Sequence, residues 1–231
     1  MNSKAIYILP SNLFYPELIN EKFKGVNKAD ILDLASNLYL NLLENLKGKE
    51  NKIDIYSIWD PNIKDQLTDE LKGANCKYIF EDTSDLKILF EKLSTKEFLS
   101  YKNNLIVFSD IIDFKPSDYD QSFNLLNAEI DSIVISKNKA GVIAVFGFNK
   151  YSDEIFSSLI STNFNYTNFL SKSKSCEHFM NIINDVLLVR DIGDFRQLYL
   201  ELSQKKSMLY CSQQMHERFT HLFVEYKDLL K

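Results

Sequence analysis

Glycine and proline are scarce in this chain, 6 and 4 residues among 231, and so few chain breakers exclude long flexible linkers. Cysteine is sparse too. Cys76, Cys176 and Cys211 lie far apart without a CxxC spacing, so they are expected to be reduced thiols in the cytoplasm. The histidines His178, His216 and His221 show no metal-ligand spacing, since the last two stand five apart on a predicted helix and face different ways. No basic stripe is present. Net charge is −5 with both signs mixed, and the densest basic stretch, at residues 172–174, is interleaved with serine, so nucleic acid is not an expected partner. No run approaches the ~20 apolar residues a membrane helix requires, so no membrane partner is expected. The opening MNSKAIYILPSNLFYPEL has only a short apolar run broken at Pro10, which does not read as a secretory signal. GxSxG, P-loop and GxGxxG motifs are all missing, which leaves covalent catalysis and dinucleotide binding without support.

What remains is ordinary globular composition, 45% hydrophobic and 26% charged, with 17 Phe, 12 Tyr and the single Trp59 to fill a core. Strand-like and helix-like segments alternate. Residues 5–9 read as a strand ended by Pro10. Ile31, Ala35, Leu38, Leu42 and Leu46 recur at steps of three and four and predict a helix from Lys28, with Gly48 just beyond its end. Residues 52–58 and 77–80 predict two further strands. A helix is expected over 85–99 with Ser84 as its cap, and the continuous apolar stretch at 104–108 reads as a buried strand. A helix opening at Ser117 follows, then strands at 132–136 and 142–148 across a turn too short for a helical crossover, which permits an antiparallel neighbour or a turn into a strand elsewhere in the sheet. A helix at 152–160, a short strand at 186–189 and a helix from Asp194 complete the unit. Met215, Phe219, Leu222, Tyr226 and Leu229 mark a last helix with a narrow apolar stripe, which docks on its own domain or meets a partner. This alternation predicts an α/β fold with a mostly parallel central sheet, helices on both faces and at least one antiparallel strand.

The run LIVFSDIIDFKPSDYDQSFNLLNAEIDSIVISKNKAGVIAVFGFNK, together with Leu187-Leu188-Val189-Arg190 and Asp191-Ile192-Gly193-Asp194, resembles the small bacterial GT-A-like transferases. These are related to molybdopterin guanylyltransferase-type proteins and include the DUF2064-type glycosyltransferases. The likeness in element order covers most of residues 4–203. It implies a nucleotide-diphospho-sugar transferase fold and a nucleotide or nucleotide-sugar lying across the strand ends. A divalent cation, Mg²⁺ or Mn²⁺, would be held there by a carboxylate against the phosphates.

The carry-over is partial. Asp110, after Ser109 at the end of the LIVF strand, matches the metal-proximal carboxylate, although Ile112 stands where the family has proline. Counting back without gaps from Gly147, the family's acidic turn residue falls on Ala140, its first glycine on Gly141 and its second on Val142. Asp191 matches the first acid of the late turn and Gly193 replaces the second. Lys24 and Lys28 stand in for the family's basic phosphate loop, here without arginine. Removing one well-placed electrostatic stabiliser costs a factor of about 10² to 10³ in rate, so several losses together leave little transfer chemistry.

Each of these residues has a plainer reading. Asp110 is either a ligand or a turn residue, and Asp113, Asp118 and Asp120 either touch the cation or, the plainer reading, belong to a solvated loop. Asp194 is an N-cap, and Lys24 and Lys28 are surface lysines. Gly141 and Gly147 are either a tight turn and a strand end or places of close ligand approach. The expected nucleotide-binding set is Lys24, Lys28, Asp110 and Gly141, with Asp110 and Asp191 as metal ligands. A transferase-like domain is expected over 1–204 and a helical extension over 205–231, the latter able to join copies of the chain. The alternative is a non-catalytic protein that keeps the fold for assembly or regulation.

Overall fold

The computed structural model describes residues 3–15, 19, 21–49, 52–72, 76–83, 85–96 and 101–230. The chain divides into two compact units. The first comprises Met1–Leu9, Gly48–Val107 and Ser117–Asp185; the second comprises Pro10–Lys47, Phe108–Pro116 and Val186–Lys231.

The first unit is built on strands β1 (Lys4–Leu9), β2 (Asp54–Trp59), β3 (Lys77–Phe80), β4 (Asn103–Phe108), β5 (Ser132–Lys137), β6 (Ile143–Phe148) and β7 (Phe179–Ile182). They form one sheet in the order β3-β2-β1-β4-β6-β5-β7. The β1–β2, β2–β3 and β5–β7 pairings are parallel, and β6 runs antiparallel to β4 and β5. The inner strands β1, β2, β4, β5 and β6 are largely buried along their length, as strands covered on both faces are. Phe146 and Phe148 project from one face of β6. There they meet Phe156 of α4 (Asp153–Ser161), at ring-centre distances of 5.7 and 5.0 Å. Phe146 also meets Phe169 of α5 (Tyr166–Lys172) at 5.9 Å.

Gly147, between them, turns to the opposite face. A Cβ there would stand 2.5 Å from Leu105 Cδ2 and 3.0 Å from Leu126 Cδ1 of α3 (Pro116–Leu126), so glycine is what lets α3 approach. Gly141 closes the β5–β6 turn with φ +79°, its N–H donating to Asn138 O at 2.9 Å, and nothing lies within 4 Å of where a Cβ would be. Both glycines therefore have backbone explanations. The helix α2 (Leu86–Lys96) packs against α4; the proposed cap Ser84 and residues 97–99 lie outside the described residues.

The seventh strand departs from the sequence expectation. Residues 186–189 form no strand of the sheet, and the sheet position is taken by β7, parallel to β5. Their apolar character serves burial in the second unit, where they form an isolated Ile111–Leu188 bridge rather than a strand. Phe179 and Ile182 are exposed, as an edge strand permits, and that mixed pattern concealed β7 from periodicity.

The second unit holds α1 (Lys28–Leu46), α6 (Ile192–Leu202), α7 (Gln213–Glu225) and α8 (Lys227–Leu230). The Asn27 side chain caps α1 by accepting from Asp30 N at 2.8 Å. The C-terminal segment lies antiparallel along α1. Tyr226 bonds Asp30 and receives the Asn27 N–H, Arg218 reaches Asn37, Asn45 donates to the Tyr210 carbonyl, and Ser212 donates to Glu44. Met215, Phe219, Leu222 and Phe223 of α7 are buried, Phe223 against Phe195 and Tyr199 of α6. Among the described residues, no helix is long and apolar enough to cross a membrane.

Candidate functional site

On leaving β4 the chain enters Ser109 and Asp110, both fully buried. Ser109 Oγ accepts the Ser11 N–H at 2.8 Å, which ties this turn to the segment following β1. Residues 110–113 then run beside residues 187–190. Val189 N donates to Asp110 O at 2.9 Å, Ile112 N to Leu187 O at 3.2 Å, and Leu187 N to the Asp113 carboxylate at 2.7 Å. The two motif segments that carried the family resemblance are thus neighbours in the second unit.

Their side chains join through a residue that the motif reading did not single out. Arg190 Nε donates to Asp110 Oδ2 at 2.7 Å. The Asp110 side chain is 2% exposed and that of Arg190 33%. The guanidinium carbon lies 4.8 Å from the centre of the Phe108 ring, so the flat cation has a carboxylate at one edge and an aromatic face beneath. Asp110 Oδ1 is buried and accepts no hydrogen bond among the described residues. The Arg190 backbone is fixed as well, its N–H donating to Asp194 Oδ2 at 2.9 Å.

The late turn is a reciprocal cap on α6. Asp191 is the N-cap, accepting from Asp194 N at 2.9 Å, while Asp194 reaches back to the Arg190 N–H. The capping role expected of Asp194 belongs to Asp191, three residues earlier, because α6 starts at Ile192. Burial, as the leading cause, raises the Asp194 carboxyl above its ordinary value. Ile192 N donates to Lys22 O at 3.0 Å, which holds the 21–26 turn against the start of α6. Lys24 is exposed in that turn, and Lys28 is exposed at the head of α1.

Of the expected site residues, Asp110, Asp191, Lys24 and Lys28 therefore share the second unit, and Gly141 lies in the first. The other acids of the 113–120 stretch have structural partners. Asp118 is buried and meets Asn184 Nδ2 at 3.4 Å, and Asp120 pairs with Lys49 Nζ at 2.6 Å.

The two expected metal ligands, Asp110 and Asp191, each have a carboxylate oxygen engaged by a protein donor, Arg190 Nε for the first and the Asp194 N–H for the second. Mg²⁺ demands a near-octahedral oxygen shell. Among the described residues no group of three or more His, Cys, Asp or Glu side chains is placed to hold a metal ion. What the arrangement offers instead is a fixed guanidinium. Nη1 and Nη2 of Arg190 make no hydrogen bond among the described residues, so its outer N–H groups are available to an acceptor.

No family model and no curated protein matches the chain. Solved structures do. A candidate nucleotide-diphospho-sugar transferase from Desulfovibrio desulfuricans G20 superposes with a TM-score of 0.70 at 18% identity, over 100% of this chain and 97% of that one. The 4-diphosphocytidyl-2C-methyl-D-erythritol synthase of Anaerococcus prevotii DSM 20548 gives 0.56 at 13% identity, over 87% and 96% of the two chains. A cytidylyltransferase of Leptospira borgpetersenii serovar Hardjo-bovis gives 0.54 at 14%, over 100% and 97%. The chain thus has the nucleotide-diphospho-sugar transferase fold, and at these identities the likeness speaks for the fold alone.

Proposed function

We propose that this protein is a divergent relative of the GT-A-like transferases, DUF2064-type glycosyltransferases among them, that binds a nucleotide or nucleotide-sugar. The observation that carries this reading is the convergence of three segments in one unit. The Ser109-Asp110 turn, the residues leading into α6 and the lysine-bearing turn at 21–26 are fastened together by backbone hydrogen bonds, and the Arg190 side chain is bonded to Asp110. In open α/β sheets, ligands bind beyond the carboxyl ends of the strands, and Asp110 directly follows the end of β4. Glycosyl or nucleotidyl transfer is the chemistry this fold suggests. With Ala140 where the related proteins carry an acid, turnover is expected to be slow and binding to be the more readily measured property. Calorimetric titration with a panel of nucleoside mono-, di- and triphosphates and nucleotide sugars tests the reading. It predicts heat of binding for at least one member, and a panel without any binding removes it.

A second reading, a non-catalytic protein that assembles through its C-terminal elements, is favoured by a separate observation. Leu200, Met208, Leu209 and Val224 are exposed on that part of the second unit. Light scattering on the full chain distinguishes it: a stable oligomer supports assembly, and a monomer at all concentrations excludes it.

A further inference from the structure

We infer that Arg190 is the phosphate receptor of this protein and that anion binding there requires no divalent cation. The inference deepens the nucleotide reading and rests on it for the identity of the whole ligand. A metal-dependent site would need an accessible Asp110 oxygen, yet Oδ2 is bonded to the guanidinium and Oδ1 is enclosed in the protein. What faces the phosphates is then a fixed set of guanidinium N–H donors, its charge partly offset by the paired Asp110 carboxylate. Three restraints hold Arg190 before any ligand arrives: Asp110 on Nε, the Phe108 ring beneath the guanidinium, and the Asp194 carboxylate on the backbone N–H. A planar fork fixed in this way loses little freedom on binding, and its terminal Nη1 and Nη2 match two oxygens of one phosphate or of adjacent phosphates in a diphosphate. Exposure is distributed accordingly, since a third of the arginine side chain reaches solvent and almost none of the aspartate does. Asp110 is thus a positioning residue that acts through Arg190.

The test uses inorganic pyrophosphate and nucleoside diphosphates on the full chain, titrated in EDTA and again with Mg²⁺. Binding is expected in EDTA and is expected to change less than threefold on adding Mg²⁺. Arg190→Lys keeps a cation beside Asp110, and so keeps the fold, but has no fork left to offer; it should weaken every phosphate-bearing probe by about ten- to a hundredfold. A second readout needs no substitution. The chain has only three arginines, Arg190, Arg196 and Arg218, so their Nε–H signals can be followed in the native protein by ¹⁵N NMR. Pyrophosphate should move the Arg190 signal and leave the other two in place. Unchanged affinity in the lysine variant, an unmoved Arg190 signal, or binding only with Mg²⁺ overturns the inference. If nucleotides bind wild type and variant alike, Arg190 is excluded and the nucleotide reading stands. If pyrophosphate binds through Arg190 but no nucleotide does, the receptor stands and the nucleotide reading falls. If nothing binds, both fall.

Discussion

The Asp110–Arg190 pair predicts an asymmetric response to removing either partner. Arg190→Met leaves a carboxylate that is 2% exposed with neither a cation nor a hydrogen bond to its Oδ atoms. Stranding a buried charge in this way costs about 3–5 kcal/mol. Asp110→Asn leaves an arginine whose side chain is 33% exposed and can turn its charge to water, and the amide oxygen still accepts from Nε. That change should cost only about 1 kcal/mol, the scale of a weakened hydrogen bond. The double variant should be more stable than Arg190→Met alone, because it no longer buries an uncompensated charge. Urea unfolding followed by circular dichroism measures all three against wild type. Equal losses for the two single variants, or a larger loss for Asp110→Asn, would refute the view that burial of the carboxylate dominates this pair.

Gly147→Ala should lower stability by about 1–3 kcal/mol through overpacking against Leu105 and Leu126, read as a lowered melting temperature. The same change should cost less in a Leu105→Ala background, and an equal cost there would contradict the packing argument. Deleting residues 204–231 uncovers α1 and removes the burial of Met215, Phe219, Leu222 and Phe223. At about 1.5–3 kcal/mol each, this is comparable to the whole stability of a domain. Hydrogen exchange should find the α1 amides unprotected in the shortened chain, and retained protection would show that α7 is dispensable. His216, whose Nε2 lies 2.9 Å from Ser207 Oγ, is held below the ordinary histidine value of 6.5 by burial. Its unfolded form then binds protons more readily than its folded form, so stability is lost as pH falls below about 6.5 toward the lowered folded value. His216→Gln should flatten that part of the stability–pH curve, and an unchanged slope would assign it to other groups.

The sheet was largely legible because alternation and continuous apolar runs report burial directly. The shortness of the 137–141 turn left two arrangements open, an antiparallel neighbour or a strand elsewhere in the sheet, and β6 takes the first. The miss at β7 has a physical cause: an edge strand buries only part of its surface, and the four residues Phe179–Ile182 show neither an alternation nor a long apolar run. Residues 186–189 carry the composition of a strand but spend it on burial beside residues 110–112. At the site, both motif segments could be picked out, since local composition marks a strand end and a helix start. Their meeting could not. Asp110 and Arg190 are 80 residues apart, and Tyr226 and Asp30 196 apart, and no local pattern encodes such a pairing. The position of Arg190 directly before the Asp191 turn was the one available signal, and it became meaningful only when the buried carboxylate was found beside it.

A crystal structure grown with a nucleoside diphosphate and Mn²⁺ together tests the account most directly, because manganese is identified by its anomalous scattering. The account predicts phosphate oxygens on Nη1 and Nη2 of Arg190, with the Nε bond to Asp110 intact and no manganese on that carboxylate. Manganese coordinated by Asp110, with Arg190 swung away from it, would contradict the account.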